Sequence, residues 1–427
     1  NIMLHPPTRM LGHPEEQRPL LGSRLPNRNF EPVTRRKVMQ IYLDYSATTP
    51  TRPEAIAAMQ AALHEQWGNP SSLHEWGNRS ATVQELARAQ VASLLNAVAD
   101  RLVFTAGGTE ADNLAIMGVA RRYRTPQHLI VSSVEHSAIA EPARFLATQG
   151  WDVTWLPVDR LGRVSPDELA AAIQPNTVLA SVIYGQSEVG TLQPIAELAA
   201  IARRRGVLFH TDAVQVAGRL PLDVQTLPVD LLSLSSHKLY GPPGAGALYV
   251  RPGVELLPLL GGGGQEGGLR SGTQSLPNLA GYGVAAELAA REMPSETVRL
   301  IQLRDRLLAQ VTAISGVDVT GDPRDRLPHH ASFCVTAADG DTVSGKTLVR
   351  QMNLAGIGIS AGSACHSGKL SPSPILKAMG YRDRAALCGI RLTLGRHTTA
   401  ADIDWAALVL RQVLDRTLPR LTPAHVA

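Results

Sequence analysis

The chain is 427 residues long, 44% hydrophobic and 18% charged, with mean hydropathy near zero, a globular composition with room for a large core and two domains. Its net charge of +4 sits in residues 1–38, where seven Lys/Arg face three Glu; the remaining body is formally neutral and, at 4% aromatics, poorly supplied for direct nucleic-acid binding. Three scattered cysteines and the lack of any apolar run near the roughly 18 residues that span a bilayer argue against a disulfide framework, a CxxC metal site and a membrane helix.

Residues 1–38 carry six prolines and no helical or strand period, so they are expected to be a disordered N-terminal extension that Met39-Gln40-Ile41-Tyr42-Leu43-Asp44 follows as a natural start. Helical and strand patterns then alternate. Helices are expected at Pro53–Trp67, Thr82–Leu95, Thr109–Ala120, Ser137–Gln149, Asp167–Ile173 and Pro194–Arg205. Strands are expected at Arg101–Thr105, His128–Ser133, Asp152–Leu156, Thr177–Tyr184, Val207–Asp212, Asp230–Ser235 and Ala245–Val250. Short strands separated by helices imply an α/β fold with a mostly parallel sheet covered on both faces, and in such sheets ligands collect at the strands' carboxyl ends. The run Gly261-Gly262-Gly263-Gly264-Gln265-Glu266-Gly267-Gly268 reads, by composition, as a linker. Beyond about residue 295 a helix and then a mixed pattern point to a smaller α+β domain, 295–427, against which residues 39–52 are expected to pack.

Several chemistry-bearing residues fall just after expected strands. Lys238 ends Ser235-Ser236-His237-Lys238 behind the apolar run Val229-Asp230-Leu231-Leu232-Ser233-Leu234. Alone it reads as a core-edge lysine; beside hydroxyls that hold a phosphate it is placed for a Schiff base with a cofactor aldehyde. Ala106-Gly107-Gly108-Thr109-Glu110 is either an ordinary capped turn or, with Ser235 and His237, a phosphate cup at a helix N-terminus. Asp212 ends a buried strand, where a carboxylate is costly unless paired; it either caps a turn or holds a protonated ring nitrogen, with Gln215 near the ring hydroxyl. His136 is a structural histidine or one that stacks on a planar ring and moves protons. Arg391, a charge inside Gly389-Ile390-Arg391-Leu392-Thr393-Leu394, needs an anion such as a substrate carboxylate. Cys334 and Cys388 lie in apolar runs and read as core. Cys365, in Ser360-Ala361-Gly362-Ser363-Ala364-Cys365-His366-Ser367-Gly368-Lys369, is a redox-sensitive thiol or a nucleophile; a reducing, cytoplasmic compartment keeps it reduced.

From Tyr42-Leu43-Asp44-Tyr45-Ser46-Ala47-Thr48-Thr49-Pro50 to about residue 416, these residues resemble the cysteine desulfurases of the class V aminotransferase group, which are fold-type I pyridoxal-phosphate enzymes. Gly68-Asn69-Pro70-Ser71-Ser72, the Gly-Thr-Glu turn, Ser-His-Lys, Arg270-Ser271-Gly272-Thr273 and Ser363-Ala364-Cys365 carry the likeness in order. The resemblance implies a seven-stranded sheet, a large domain at 53–294 that binds pyridoxal 5'-phosphate, and a small domain bearing a catalytic loop. It implies Lys238 as the cofactor-binding amine, Asp212 on the pyridine nitrogen, Gln215 on the ring hydroxyl and His136 on the ring. Gly108, Thr109, Ser235 and His237 would hold the phosphate, and Thr273 would reach that of the second subunit of a homodimer. Arg391 would clamp the carboxylate of L-cysteine. Cys365 would accept its sulfur as a persulfide, leaving alanine, and pass it to an acceptor protein such as an iron–sulfur scaffold or a sulfur carrier for tRNA thiolation. Metal enters only through that cluster assembly.

One departure falls at the site. Where the family commonly has Asn-Asn, this chain has Gln186-Ser187, so Ser187 brings one hydroxyl to the substrate side and Gln186 or a water is expected to compensate. Gly267 also stands where relatives often have Arg. A selenocysteine lyase, a class V aminotransferase and a non-catalytic sulfur-delivery protein are the competing readings.

Overall fold

The computed structural model describes residues 40–336, 343–362 and 371–417; the expected N-terminal extension and Cys365 lie outside them. The chain runs β1 (Ile41–Tyr42), α1 (Pro53–Glu65), α2 (Glu75–Ser93), β2 (Leu102–Thr105), α3 (Gly108–Ala120), β3 (His128–Ser132), α4 (Ser137–Thr148) and β4 (Asp152–Leu156). It continues through α5 (Pro166–Ala172), β5 (Thr177–Ser181), α6 (Ile195–Arg204), β6 (Leu208–Asp212), β7 (Leu231–Ser235), β8 (Gly246–Val250) and α7 (Leu276–Thr312). It ends with β9 (Val317–Val319), β10 (His330–Val335), α8 (Gly345–Leu354), β11 (Ile357–Gly358), β12 (Ser360–Ala361), α9 (Pro374–Ala378), α10 (Asp383–Ala386), β13 (Gly389–Thr393) and α11 (Ala400–Thr417).

Seven strands form one sheet in the order β2-β8-β7-β6-β5-β3-β4, parallel throughout except β8, which runs antiparallel to both neighbours. Alternate residues serve opposite faces, as a period of two requires. Val103, Leu129, Val131, Leu231 and Leu248 pack with α3 and α4 through Leu114, Ile139 and Leu146. Phe104, Ile130, Leu232, Leu234 and Tyr249 pack on the other side with α2, α6 and α7 through Val91, Leu198 and Tyr282. Both faces being covered explains why these strands are buried along nearly their whole length.

A second core surrounds a four-stranded antiparallel sheet, β12-β13-β10-β9, with Phe333, Leu392, Leu348 and Leu410 at its centre. The segment that opens the described chain joins this core: β1 pairs in parallel with β11, and Thr393 N donates to Leu43 O at 2.8 Å. The 37-residue α7 contributes to both cores and passes straight through Pro294, where the sequence pattern suggests a domain boundary. Helix α2 starts at Glu75, seven residues before its expected start, because His74 Nδ1 accepts Gly77 N at 3.2 Å and caps it.

The glycine-rich run is not a loose linker. Glu266, its side chain fully enclosed, takes Arg88 in a two-point ion pair (2.7 and 2.9 Å) and Phe104 N at 2.8 Å, which pins the run to α2 and β2. Glu266→Ala removes the buried partner of Arg88 and leaves it only the exposed Glu85 as a counter-ion, and a loss of about 3 kcal/mol in unfolding free energy is expected. Denaturant melts check this; a loss below about 1 kcal/mol would contradict the pinning role.

Candidate active site

The carboxyl ends of the parallel strands open into a cavity of about 600 Å³, walled on its far side by Arg391 of β13 and by Ser360–Gly362. Its lining includes Gly108, Thr109, His136, Ser187, Asp212, Gln215, Ser235, His237 and Lys238. Ten of the sequence-derived positions, counting Arg391, therefore meet in one place. Thr273 does not join them: it is exposed, outside the cavity of its own chain. Cys365 falls outside the described residues.

Lys238 follows β7 in a single tight turn. Its Nζ donates to two backbone carbonyls, Ser46 O at 2.7 Å and Ala47 O at 2.6 Å. Burial pushes the amine down to about 8, helped by Arg219 and Arg391 and opposed by Asp212 and Asp44. Ser46 is thus a junction. Its carbonyl also accepts Gln215 Nε2 at 2.9 Å, its hydroxyl meets His329 Nε2 at 3.0 Å, and its N–H donates to Thr393 Oγ1 at 2.9 Å. The sequence offers no side-chain signal for Ser46 and Ala47, because they act through carbonyls.

Asp212 closes β6 and is wholly buried, its Oδ1 accepting Val214 N at 2.9 Å. Behind it on α3 lies Asp112, a second buried acid that the sequence reading did not single out. Burial pushes both carboxyls up, Asp112 well up because the charge of Asp212 adds to it; His136 and Lys238 pull Asp212 back. The neighbouring His210, held between Ser181 Oγ (2.8 Å) and Ser233 Oγ (2.9 Å), is kept neutral by burial, which pushes it to about 3. His136 caps α4, its Nδ1 accepting Ala138 N at 3.1 Å, which places the proton of the neutral ring on Nε2.

Arg391 donates Nη1 to Ser187 O at 2.8 Å and pairs Nη2 with Asp44 at 2.7 Å, while its buried Nε has no hydrogen-bond partner in the described structure. Gln186 cannot compensate for Ser187 as expected. Its Oε1 accepts Glu188 N and Val189 N, and its Nε2 donates to Val134 O at 3.2 Å, so the amide is spent on its own turn. Two more buried acids line the cavity, Glu135 and Glu188, each pushed up to about 8 by burial. Glu135 was legible in principle, as an acid three residues beyond the end of a buried strand. Cys334 and Cys388 are buried, as their apolar runs imply, and burial pushes the Cys334 thiol up to about 12, an inert state.

Residues 41–405 match the model of the family described as Aminotransferase class-V. Over 379 residues the chain is 43% identical to cysteine desulfurase IscS of Dictyoglomus turgidum, an overlap of 88% of this chain and 95% of that one. The chain belongs to the class-V aminotransferase family, among its cysteine desulfurases. A solved NifS-like protein superposes with a TM-score of 0.82 at 31% identity, covering 88% of this chain and all of that one. The structure titled SspA in complex with cysteine gives 0.74 at 33%, covering 84% of this chain and all of that one.

Pyridoxal 5'-phosphate is the cofactor of these desulfurases, and the cavity suits it on three counts. Its volume is that of a small-molecule site. Asp212, a buried carboxyl with no cationic partner within salt-bridge distance among the described residues, is matched by a protonated ring nitrogen. The turn ahead of α3 is held against β8 by close backbone packing, since a Cβ on Gly246 would lie 2.5 Å from Gly107 C, and it presents a helix N-terminus for a phosphate. An amine is nucleophilic only when neutral, so capture of the cofactor by the apoprotein should accelerate about tenfold per pH unit and level off above about 8. Stopped-flow absorbance checks this; a rate independent of pH below 8 would contradict the depressed amine.

Proposed function

We propose that this desulfurase uses Lys238, Asp212, His136 and Arg391 to split L-cysteine and Cys365 to receive its sulfur. The carrying observation is the half-buried Lys238 amine, held on two carbonyls and facing the same cavity as Asp212 and Arg391. Bound pyridoxal phosphate supplies an aldehyde for an amine and a ring that accepts the electron pair released at the substrate α-carbon. Arg391, whose guanidinium lines the cavity, receives the substrate carboxylate. Lys238 takes the α-proton, Asp212 holds a proton on the ring nitrogen, and His136 moves one at the substrate sulfur. The Cys365 thiolate attacks that sulfur. An S–S bond forms as C–S breaks, the bonding pair stays with the β-carbon, which takes a proton, and return of a proton from Lys238 to the α-carbon gives alanine. Ser187, one hydroxyl beside Arg391, bears on substrate preference rather than on reaction class.

Thr273, exposed on its own chain, supports a homodimer in which it reaches the second subunit's phosphate. In this reading residues 53–294 hold the cofactor, 295–427 carry Cys365, and α7 links the two. The persulfide then passes, in the cytoplasm, to an iron–sulfur scaffold or another sulfur-carrier protein. Among the described residues no helix is long and apolar enough to cross a membrane. Incubation with L-cysteine, a thiol reductant that releases the persulfide sulfur as sulfide, and no keto acid is expected to give alanine and sulfide in equal amounts; alanine formation that requires a keto acid would mark an aminotransferase instead.

A further inference from the structure

Glu188 follows Ser187 in the turn after β5, with only 9% of the residue exposed. Its Oε1 accepts a hydrogen bond from Ser373 Oγ, and the same hydroxyl caps α9 by accepting Leu376 N at 3.1 Å. Gly362 lies against the same carboxyl group. A Cβ there would overlap Oε1 and come within 2.9 Å of Cδ, so any larger residue at this position displaces the Glu188 carboxyl group. Both contacts are anchored from behind: Gly362 N donates to Gly389 O at 3.1 Å, and Ser373 N to Ala386 O at 2.9 Å. Gly362 and Ser371 bound residues 363–370, which contain Cys365, and both line the cavity with Glu188, Lys238 and Arg391. One buried carboxyl thus holds the chain before that segment and the chain after it.

Burial pushes this carboxyl up to about 8, with the Ser373 bond and Arg391 pulling the other way. At neutral pH it is largely protonated, a state that glutamine imitates in shape and charge. An apolar side chain of the same size would fill the wall at lower desolvation cost; what it would lose is the directional bond to Ser373.

We propose that Glu188 is a positioning residue for sulfur transfer, clamping Gly362 and Ser373 so that both ends of the chain bearing Cys365 stay fixed at the cavity. This rests on the reading of Cys365 as sulfur acceptor. The test uses the holoenzyme and the variants Glu188→Ala, Glu188→Gln, Gly362→Ala and the double Glu188→Ala/Gly362→Ala. Three quantities are measured: cofactor absorbance, the rate at which iodoacetamide alkylates Cys365 without substrate, and sulfur loading of Cys365 by mass spectrometry after L-cysteine. Glu188→Ala and Gly362→Ala are each expected to retain cofactor absorbance, speed alkylation about threefold or more, and slow sulfur loading about tenfold. Glu188→Gln should stay within about twofold of the parent, and the double variant should be no worse than the poorer single one, as for groups that act through one contact.

Unchanged alkylation and loading in both single alanine variants would overturn the clamp, as would Glu188→Gln as damaged as Glu188→Ala. If Glu188→Ala does not fold, Gly362→Ala against Glu188→Gln decides. If the parent takes no sulfur on Cys365, the acceptor reading fails, while the alkylation rates still decide the clamp.

Discussion

Lys238→Ala is expected to lower alanine formation from L-cysteine by at least about a thousandfold, because one side chain carries two tasks. It is the amine that fixes the cofactor aldehyde, and it is the base at the substrate α-carbon. The geometry favours both. Two carbonyl acceptors hold Nζ in place, while burial and the nearby cations Arg219 and Arg391 bring its proton affinity down to about 8, so a useful fraction is neutral at working pH. Arginine would keep a charge but cannot act as the base, so Lys238→Arg should be as inactive as alanine. Steady-state alanine assays check this, and activity within about tenfold of the parent would contradict the assignment.

Cys365→Ala is expected to separate two halves of the chemistry. The cofactor should bind with the parent absorbance, and L-cysteine should still perturb that spectrum, since Lys238, Asp212, His136 and Arg391 remain. Sustained sulfide and alanine release should fall by at least about a thousandfold, because no thiolate takes the sulfur from the substrate. Cys334 and Cys388 offer no rescue: both are buried, and the Cys334 thiol holds its proton up to about pH 12. Sustained turnover by this variant would show that sulfur leaves by another route.

Much of this site was legible because its residues stand where a parallel sheet ends. Asp212, Lys238 and His136 each follow a run of buried strand residues, and a charge or imidazole there needs a reason. Periodicity likewise marked the seven strands, since Leu231/Leu232 and Val103/Phe104 face two separate cores. What stayed hidden acts through backbone or over long sequence separation. Ser46 and Ala47 hold Lys238 by carbonyls, which composition cannot reveal. Glu188 meets Gly362 and Ser373, and the fold alone brings them together. Glu266 sits in a glycine run whose composition signals flexibility, yet its ion pair with Arg88 fixes that run to the sheet. The change of pattern near residue 295 falls inside α7, where packing along both halves carries the helix through the missing N–H of Pro294.

The most direct test of the chemistry is the mass of the Cys365 peptide after the holoenzyme has been incubated with L-cysteine and quenched without reductant. One added sulfur on Cys365, absent in Lys238→Ala and removed by a thiol reductant, is the expected result. An unmodified Cys365 peptide, from enzyme that is releasing alanine, would contradict it.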